Sequence, residues 1–155
     1  MRAPPDVVVR PMLSKDLGAI ADLTSQLGYP CVEADLVRRY GLISDRSDAQ
    51  LLVAERSSAA VVGWIHVQEL HLLESDTRGE IWGLVVDASA RGTGVGRLLV
   101  DAAEAWALAR GLTMMGLRSN VLRVEAHAFY ERLGYRIVKK QNAFRKELTA
   151  AMGSA

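Results

Sequence analysis

A single cysteine, Cys31, leaves this chain unable to close a disulfide within itself. No signal peptide is read at its start, and no apolar run is long enough to span a bilayer. A cytoplasmic protein is therefore the expectation. Charge of one sign is lacking too: 19 Lys and Arg nearly offset 18 Asp and Glu, for a formal charge of +1. That balance argues against a general nucleic-acid-binding surface and against a membrane partner, and it makes any anion site local. There are no internal repeats, and the one low-complexity piece is the tail 149–155, expected to be flexible. No metal is called for. What remains is 155 residues, 50% hydrophobic, enough for a single domain over 2–148 with a full core.

The pattern predicts strands and helices in alternation. Val7-Val8-Val9-Arg10 reads as a strand stopped by Pro11, and Ser14 as the cap of a helix to about Gln26, with Leu17, Ile20, Ala21, Thr24 and Leu27 on one face. A second helix is expected from Glu33 to Ser44, then a strand from Ala49 to Glu55, a hairpin turn, and a returning strand from Ala60 to Leu72 with a bulge near Gly63. Glu74 to Gly79 reads as a loop. A later helix should bury Val95, Leu98, Leu99, Ala102, Trp106 and Ala109 and end at Gly111. Thr113 to Leu117 is a short strand, Arg123 to Leu133 a helix with Leu122, Ala126, Phe129 and Leu133 inward, and Tyr135–Lys140 with Asn142–Leu148 a closing strand pair. The fold class is α/β (α+β) with a mixed sheet, since a strand-helix-strand unit implies a parallel pair.

The most informative stretch is Glu80 to Val100, a buried strand that breaks at Asp87-Ala88-Ser89-Ala90 and passes through Arg91-Gly92-Thr93-Gly94-Val95-Gly96 into a helix. Glycines let a ligand approach the backbone, and the helix start offers unpaired N–H groups and a positive dipole end. Such a turn suits phosphate. A P-loop would need Gly-Lys-Ser/Thr where this chain has Gly96-Arg97-Leu98, so the lysine and the Mg²⁺-binding hydroxyl are missing. A dinucleotide fingerprint starting at Gly92 would need its third glycine at Arg97.

The run Arg91 to Gly96 fits Gln/Arg-x-x-Gly-x-Gly/Ala, and it is followed by Asn120 and by Ala128-Phe129-Tyr130-Glu131-Arg132-Leu133-Gly134-Tyr135. In that order these features resemble the GNAT superfamily of acetyl-coenzyme A-dependent N-acetyltransferases. The resemblance implies a mixed, mostly antiparallel central sheet with a splayed parallel strand pair and helices on both faces. It implies acetyl-CoA as acetyl donor, an amine acceptor, direct attack in a ternary complex, and homodimers as in many similar proteins. The amides of Arg91, Gly92, Thr93, Gly94, Val95 and Gly96 would then bind the pyrophosphate, with Leu84, Val85 and Val86 bonding pantetheine as an extra strand would. Asn120 would bond the pantetheine arm.

Acetyl transfer needs a neutral amine, yet an alkyl amine with a pKa of about 10.4 is mostly protonated near neutral pH, so a base or a water path must take a proton. Glu80 lies eleven positions before Arg91, a separation at which histone acetyltransferases of the superfamily carry their base. Glu69, His66 and His71 stand in reserve. The same resemblance makes the Leu84 N–H the oxyanion donor and Tyr130 the acid that protonates the departing thiolate. Cys31 has no role in direct transfer. Tyr29, Trp64, His66 and Trp82 are candidate acceptor-wall residues, with Tyr40 and Phe144 behind them, and Glu69, Glu74, Asp76 and Glu80 could make the acidic cleft an aminoglycoside calls for. Two other readings share the turn: a regulatory module that binds acetyl-CoA without turnover, and an acyltransferase with another acyl group or acceptor.

Overall fold

The computed structural model describes residues 4–150. These fall into two compact units that meet between Arg118 and Ser119 in sequence. The first holds β1 (Val7–Pro11), α1 (Leu17–Ser25), α2 (Glu33–Ile43), β2 (Ala49–Arg56), β3 (Val61–Leu72), β4 (Ser75–Val86), α3 (Val95–Ala109) and β5 (Met115–Leu117). The second holds α4 (Val124–Arg132). The five strands of the first unit form one sheet in chain order, antiparallel from β1 to β4, with β4 and β5 parallel. The fold is α/β with a mixed sheet.

Helices cover both faces. Trp64 lies with Met12, Leu17, Ile20 and Val53, against which Leu36 and Tyr40 also pack, so α1 and α2 sit on the Trp64 face. Gly63 is the next residue in the strand and points the other way, where an added Cβ would lie 3.0 Å from Leu99 and 3.4 Å from Val95 of α3. A side chain there would push α3 off the sheet. The two faces bury Val53, Ile65, Val67, Val95, Leu99 and Val100 completely.

Several boundaries differ from the sequence reading, each for a physical reason. Residues 14–16 form a 3-10 turn with Leu13 at its N-cap, and Asp16, at its third position, accepts the Leu13 N–H at 2.8 Å. The expected loop at Glu74–Gly79 is mostly strand: Leu70 pairs with Arg78 and Leu72 with Ser75, and His71 bonds Thr77. Its polar residues reflect a hairpin end exposed to water, not a break in pairing. The bulge expected near Gly63 lies beside it, at Val62, which has no partner between the pairs Ala54 with Gly63 and Glu55 with Val61. In α3 the buried stripe is Val95, Leu99, Val100, Ala103 and Ala107. It is turned from the expected one because small alanines allow close approach to the sheet, while Trp106 moves to the flank beneath the Arg110 guanidinium.

The closing strand pair is absent: residues 135–150 carry no strand, and Ile137, Val138, Phe144 and Leu148 are 60–90% exposed. Apolar pairs such as Ile137-Val138 favour extended chain but supply no partner, and a lone hairpin buries too little to persist. Leu122, expected inward, is 83% exposed, since α4 begins only after it.

Candidate active site

The site in the first unit starts from one extra residue. In the β3–β4 ladder His66 pairs with Gly83 and Val67 with Ile81, which leaves Trp82 as a bulge. Before the bulge the Gly79 N–H bonds the Met114 carbonyl, so Gly79 and Ile81 turn their backbone toward β5. After it the phase is reversed. The Asp87 N–H bonds the Val62 carbonyl, which makes Asp87 with Val62, and by the period of two Val85 with Trp64, the bonded pairs toward β3. Leu84 and Val86 therefore direct their N–H and C=O groups away from β3. On that side β5 has already ended, its last pairing being Leu117 with Ile81. A free strand edge results. Val85 faces β3 and its side chain is buried, so of the three residues expected along this edge only Leu84 and Val86 have it. The Val86 carbonyl accepts the Arg91 Nε at 3.2 Å.

The edge leads into the glycine turn. Asp87 caps a 3-10 turn at Ala88–Ala90 by accepting the Ser89 N–H, and Gln26 grips the same corner, donating to Asp87 at 2.7 Å and accepting from the Ala88 N–H at 3.0 Å. Hydrogen bonds from Ser89 and Gln26 hold the Asp87 carboxyl below its usual range. Gly92 and Gly94 have φ of 75° and 94°, the left-handed region open to glycine. Thr93 ties its hydroxyl to the Ala90 carbonyl, and Gly94 is the N-cap of α3. Because the helix bonds begin with the Leu98 N–H to the Gly94 carbonyl, the amides ahead of Leu98 are not used by the helix. A Cβ on Gly92 would meet nothing within 4 Å, so the turn opens onto free space. An extended ligand ending in a diphosphate fits this edge and turn.

Glu80 is 1% exposed, and its carboxylate accepts the Arg78 Nε at 3.0 Å. It pairs across the ladders with Gln68 of β3 and Gly116 of β5. Paired residues share a face, so Glu80, Gln68 and, two residues along, His66 and Trp64 project on the side opposite α3. Burial lowers the His66 pKa, so its ring is neutral near pH 7, and Nε2 lies 3.2 Å from Gln68 Oε1. Gly83 belongs to this face as well, since a Cβ there would come within 2.7 Å of the Trp64 ring. Of the expected acceptor-wall residues, Trp64 and His66 thus share the face of Glu80. Trp82 is 45% exposed at the bulge, with the Arg118 guanidinium 5.8 Å from its ring, and Tyr29 is exposed in the loop between α1 and α2. The reserve base Glu69 is taken up by an ion pair with Arg110 and by a contact with His71 Nε2 at 3.0 Å.

In the second unit, Asn120 closes its own turn, its Oδ1 accepting the Leu122 N–H at 2.9 Å and its carbonyl facing His127 Nε2 at 2.9 Å. His127 serves the start of α4. Tyr130 lies edge-on between Phe129 and Tyr135, with centroids 5.0 and 5.9 Å away. Burial raises its pKa against a smaller opposing pull from Arg123, so its phenol stays protonated. Arg78, Gly116 and Gln26 were not singled out from sequence. Arg78 and Glu80 stand two apart, the signal of a shared strand face, but reading 74–79 as a loop hid it.

A free, bulge-phased strand edge running into a left-handed glycine turn at a helix start presents backbone donors suited to an extended ligand with an anionic end. Residues 19–135 match the Acetyltransferase (GNAT) family, and the chain belongs to it. The aminoalkylphosphonate N-acetyltransferase of Salmonella typhimurium is 40% identical over 86 residues, 55% of this chain and 53% of that protein. The chain thus spans about half the length of this curated relative. Among solved structures, a transcriptional regulator from Bacillus halodurans superposes with a TM-score of 0.81 at 23% identity, covering 90% of this chain and 99% of the other. AAC(6')-Iy in complex with the bisubstrate analog CoA-S-monomethyl-acetylneamine superposes with a TM-score of 0.79 at 17% identity, covering 92% and 99%. Both structural likenesses are of fold. No helix among the described residues is long and apolar enough to cross a membrane.

Proposed function

We propose that this chain transfers the acetyl group of acetyl-CoA to the primary amine of a small molecule, by direct attack in a ternary complex. The observation that carries this reading is the edge at Leu84 and Val86 opening beyond β5 and leading straight into the Gly92–Gly94 turn. The Val86 N–H and the Leu84 carbonyl would bond the carrier's amide-bearing arm, leaving the Leu84 N–H for the acetyl carbonyl. The Arg91 N–H is taken by the Ala88 carbonyl, and the amides of 92–97 that the helix leaves unused would hold the diphosphate, with the α3 dipole adding to them. Arg91 would contribute charge once it exchanges the Val86 carbonyl for a phosphate. The family resemblance assigns the pantetheine arm to Asn120, whose Oδ1 is committed to its own turn, so its amide NH₂ would be the group to bond it.

Glu80, directly or through water, takes one proton from the acceptor ammonium. The freed lone pair attacks the thioester carbon and forms the C–N bond, and the charge on the carbonyl oxygen is met by the Leu84 N–H. Collapse breaks the C–S bond, Tyr130 gives its proton to the thiolate, and the new amide loses its extra proton to solvent. The products are an N-acetyl amine and free CoA.

The 40% identity to an aminoalkylphosphonate N-acetyltransferase, against 17% to an aminoglycoside-linked structure, favours a small amino acid-like amine as acceptor. The test is thiol release from acetyl-CoA with a panel of aminoalkylphosphonates, aminoglycosides, polyamines and lysine peptides. Turnover concentrated in the aminoalkylphosphonates is expected. Tight acetyl-CoA binding with no thiol release above the amine-free rate would replace this reading with that of a binding module.

A further inference from the structure

Glu80 is 1% exposed, and a carboxylate buried without a partner costs several kcal/mol. What surrounds it comes from residues outside the glycine turn. Arg78, two positions earlier on the same face of β4, donates Nε to Glu80 Oε2 at 3.0 Å while remaining 27% exposed itself. Across the parallel ladder stands Gly116, the Cα partner of Glu80. A Cβ at Gly116 would lie 2.5 Å from Glu80 Oε2 and 2.9 Å from Arg78 Nε. The missing side chain on β5 is therefore the space in which the pair meets.

We propose that Arg78 and Gly116 form a socket that fixes Glu80 as an oriented carboxylate, making Arg78 a positioning residue for acetyl transfer. The proposal rests on Glu80 acting as the base. Arg78 does not touch the reacting atoms in this account; it restricts the rotamers of Glu80 and compensates its charge, so that one oxygen is held and the other is left to the proton being moved. Gly116 is required because any larger residue would occupy the contact between the two groups.

Kinetics with the fastest acceptor of the amine panel test the role, and melting tests the socket without needing turnover. Arg78→Met is expected to lower kcat at least tenfold while the KM for acetyl-CoA stays within twofold, and Arg78→Lys to recover most of that loss. Gly116→Ala should resemble Arg78→Met. In thermal melting, Arg78→Met should be destabilised and the double variant Arg78→Met/Glu80→Gln should melt higher than the single one, because an unpaired buried carboxylate costs more than a neutral amide. A double variant melting no higher than Arg78→Met would overturn the socket. Glu80→Gln impaired with Arg78→Met fully active would leave the base in place and remove the positioning role. Glu80→Gln fully active would remove the base, and the positioning role with it.

Discussion

Replacing Gly92 separates backbone strain from ligand contact. At a φ of 75° an L residue with a Cβ is disfavoured by about 1–2 kcal/mol. For a domain of this size that lowers the melting temperature by roughly 2–8 °C. No clash adds to it, since a Cβ at Gly92 meets nothing within 4 Å. The strain is present in the folded chain whether or not coenzyme is bound, so it cancels from the affinity. Any change in Kd therefore reports what the Cβ does to the ligand. If a diphosphate lies against the turn's amides, a Cβ in the open space pushes it away, and each charge-assisted hydrogen bond lost, at about 1.5–3 kcal/mol, weakens binding at least ~10-fold. Gly92→Ala should thus melt lower and bind CoA at least ~10-fold more weakly. Asn tolerates the left-handed region better, so Gly92→Asn should regain melting temperature without regaining affinity. Scanning fluorimetry and titration calorimetry with CoA read the two quantities. A Gly92→Ala variant with lowered melting temperature and wild-type Kd would refute the placement of phosphate at this turn.

Three further outcomes are expected. Arg10 donates to both Asp16 oxygens at 2.8 Å, and Asp16 is 4% exposed, so Arg10→Met should leave a buried carboxylate with only the Leu13 N–H as partner and cost about 3–5 kcal/mol in urea unfolding. The Arg10 hydrogen bonds hold the Asp16 pKa below its ordinary 3.8, outweighing desolvation. The stability this gives is fully present above pH 3.8 and is lost as pH falls through the lower folded value; Asp16→Asn should flatten that acid limb of the stability profile. Tyr130→Phe should lower kcat about 100-fold in chemistry-limited turnover and leave the Kd for acetyl-CoA within twofold, whereas full turnover would end its role as acid.

How much could be read without coordinates differs from element to element. The glycine turn was legible because its chemistry is local: φ above zero at Gly92 and Gly94 selects glycine whatever surrounds it. The β2–β3 hairpin was legible because its two strands follow one another across a short turn, whereas the pairing of β1 with β2 spans two helices and has no local signal. The stripe of α3 was misplaced by a fraction of a turn, since periodicity ranks Trp106 above Ala103 by hydrophobicity while the sheet selects by size. The runs 135–140 and 142–148 show the limit most plainly. Ile137-Val138 and Ala143-Phe144 favour extended chain, but whether a strand forms depends on a neighbour's unpaired edge, which no local pattern encodes. The role of Glu80 was suspected from its distance to Arg91, yet its pairing with Arg78 and its dependence on Gly116 required the register of β4 against β5.

The bulge at Trp82 joins these threads, because it decides which amides the edge offers. Counted from Gly79 and Ile81, which face β5, an unbroken strand would present Gly83 and Val85 at the free edge and turn Leu84 toward β3. The extra residue reverses that order from Gly83 onward. Leu84 and Val86 gain the edge, and Val85 turns into the core beside Trp64, where it is 3% exposed. The same shift leaves Gly83 on the Trp64 face, where any larger residue would meet the indole ring. Nothing in Gly79-Glu80-Ile81-Trp82-Gly83-Leu84-Val85-Val86 marks the reversal, since a bulge is a relation between two strands. Leu84 is the oxyanion donor of the proposed reaction, and the bulge supports that proposal: the Leu84 N–H faces the free edge because β4 is one residue longer than β3 requires.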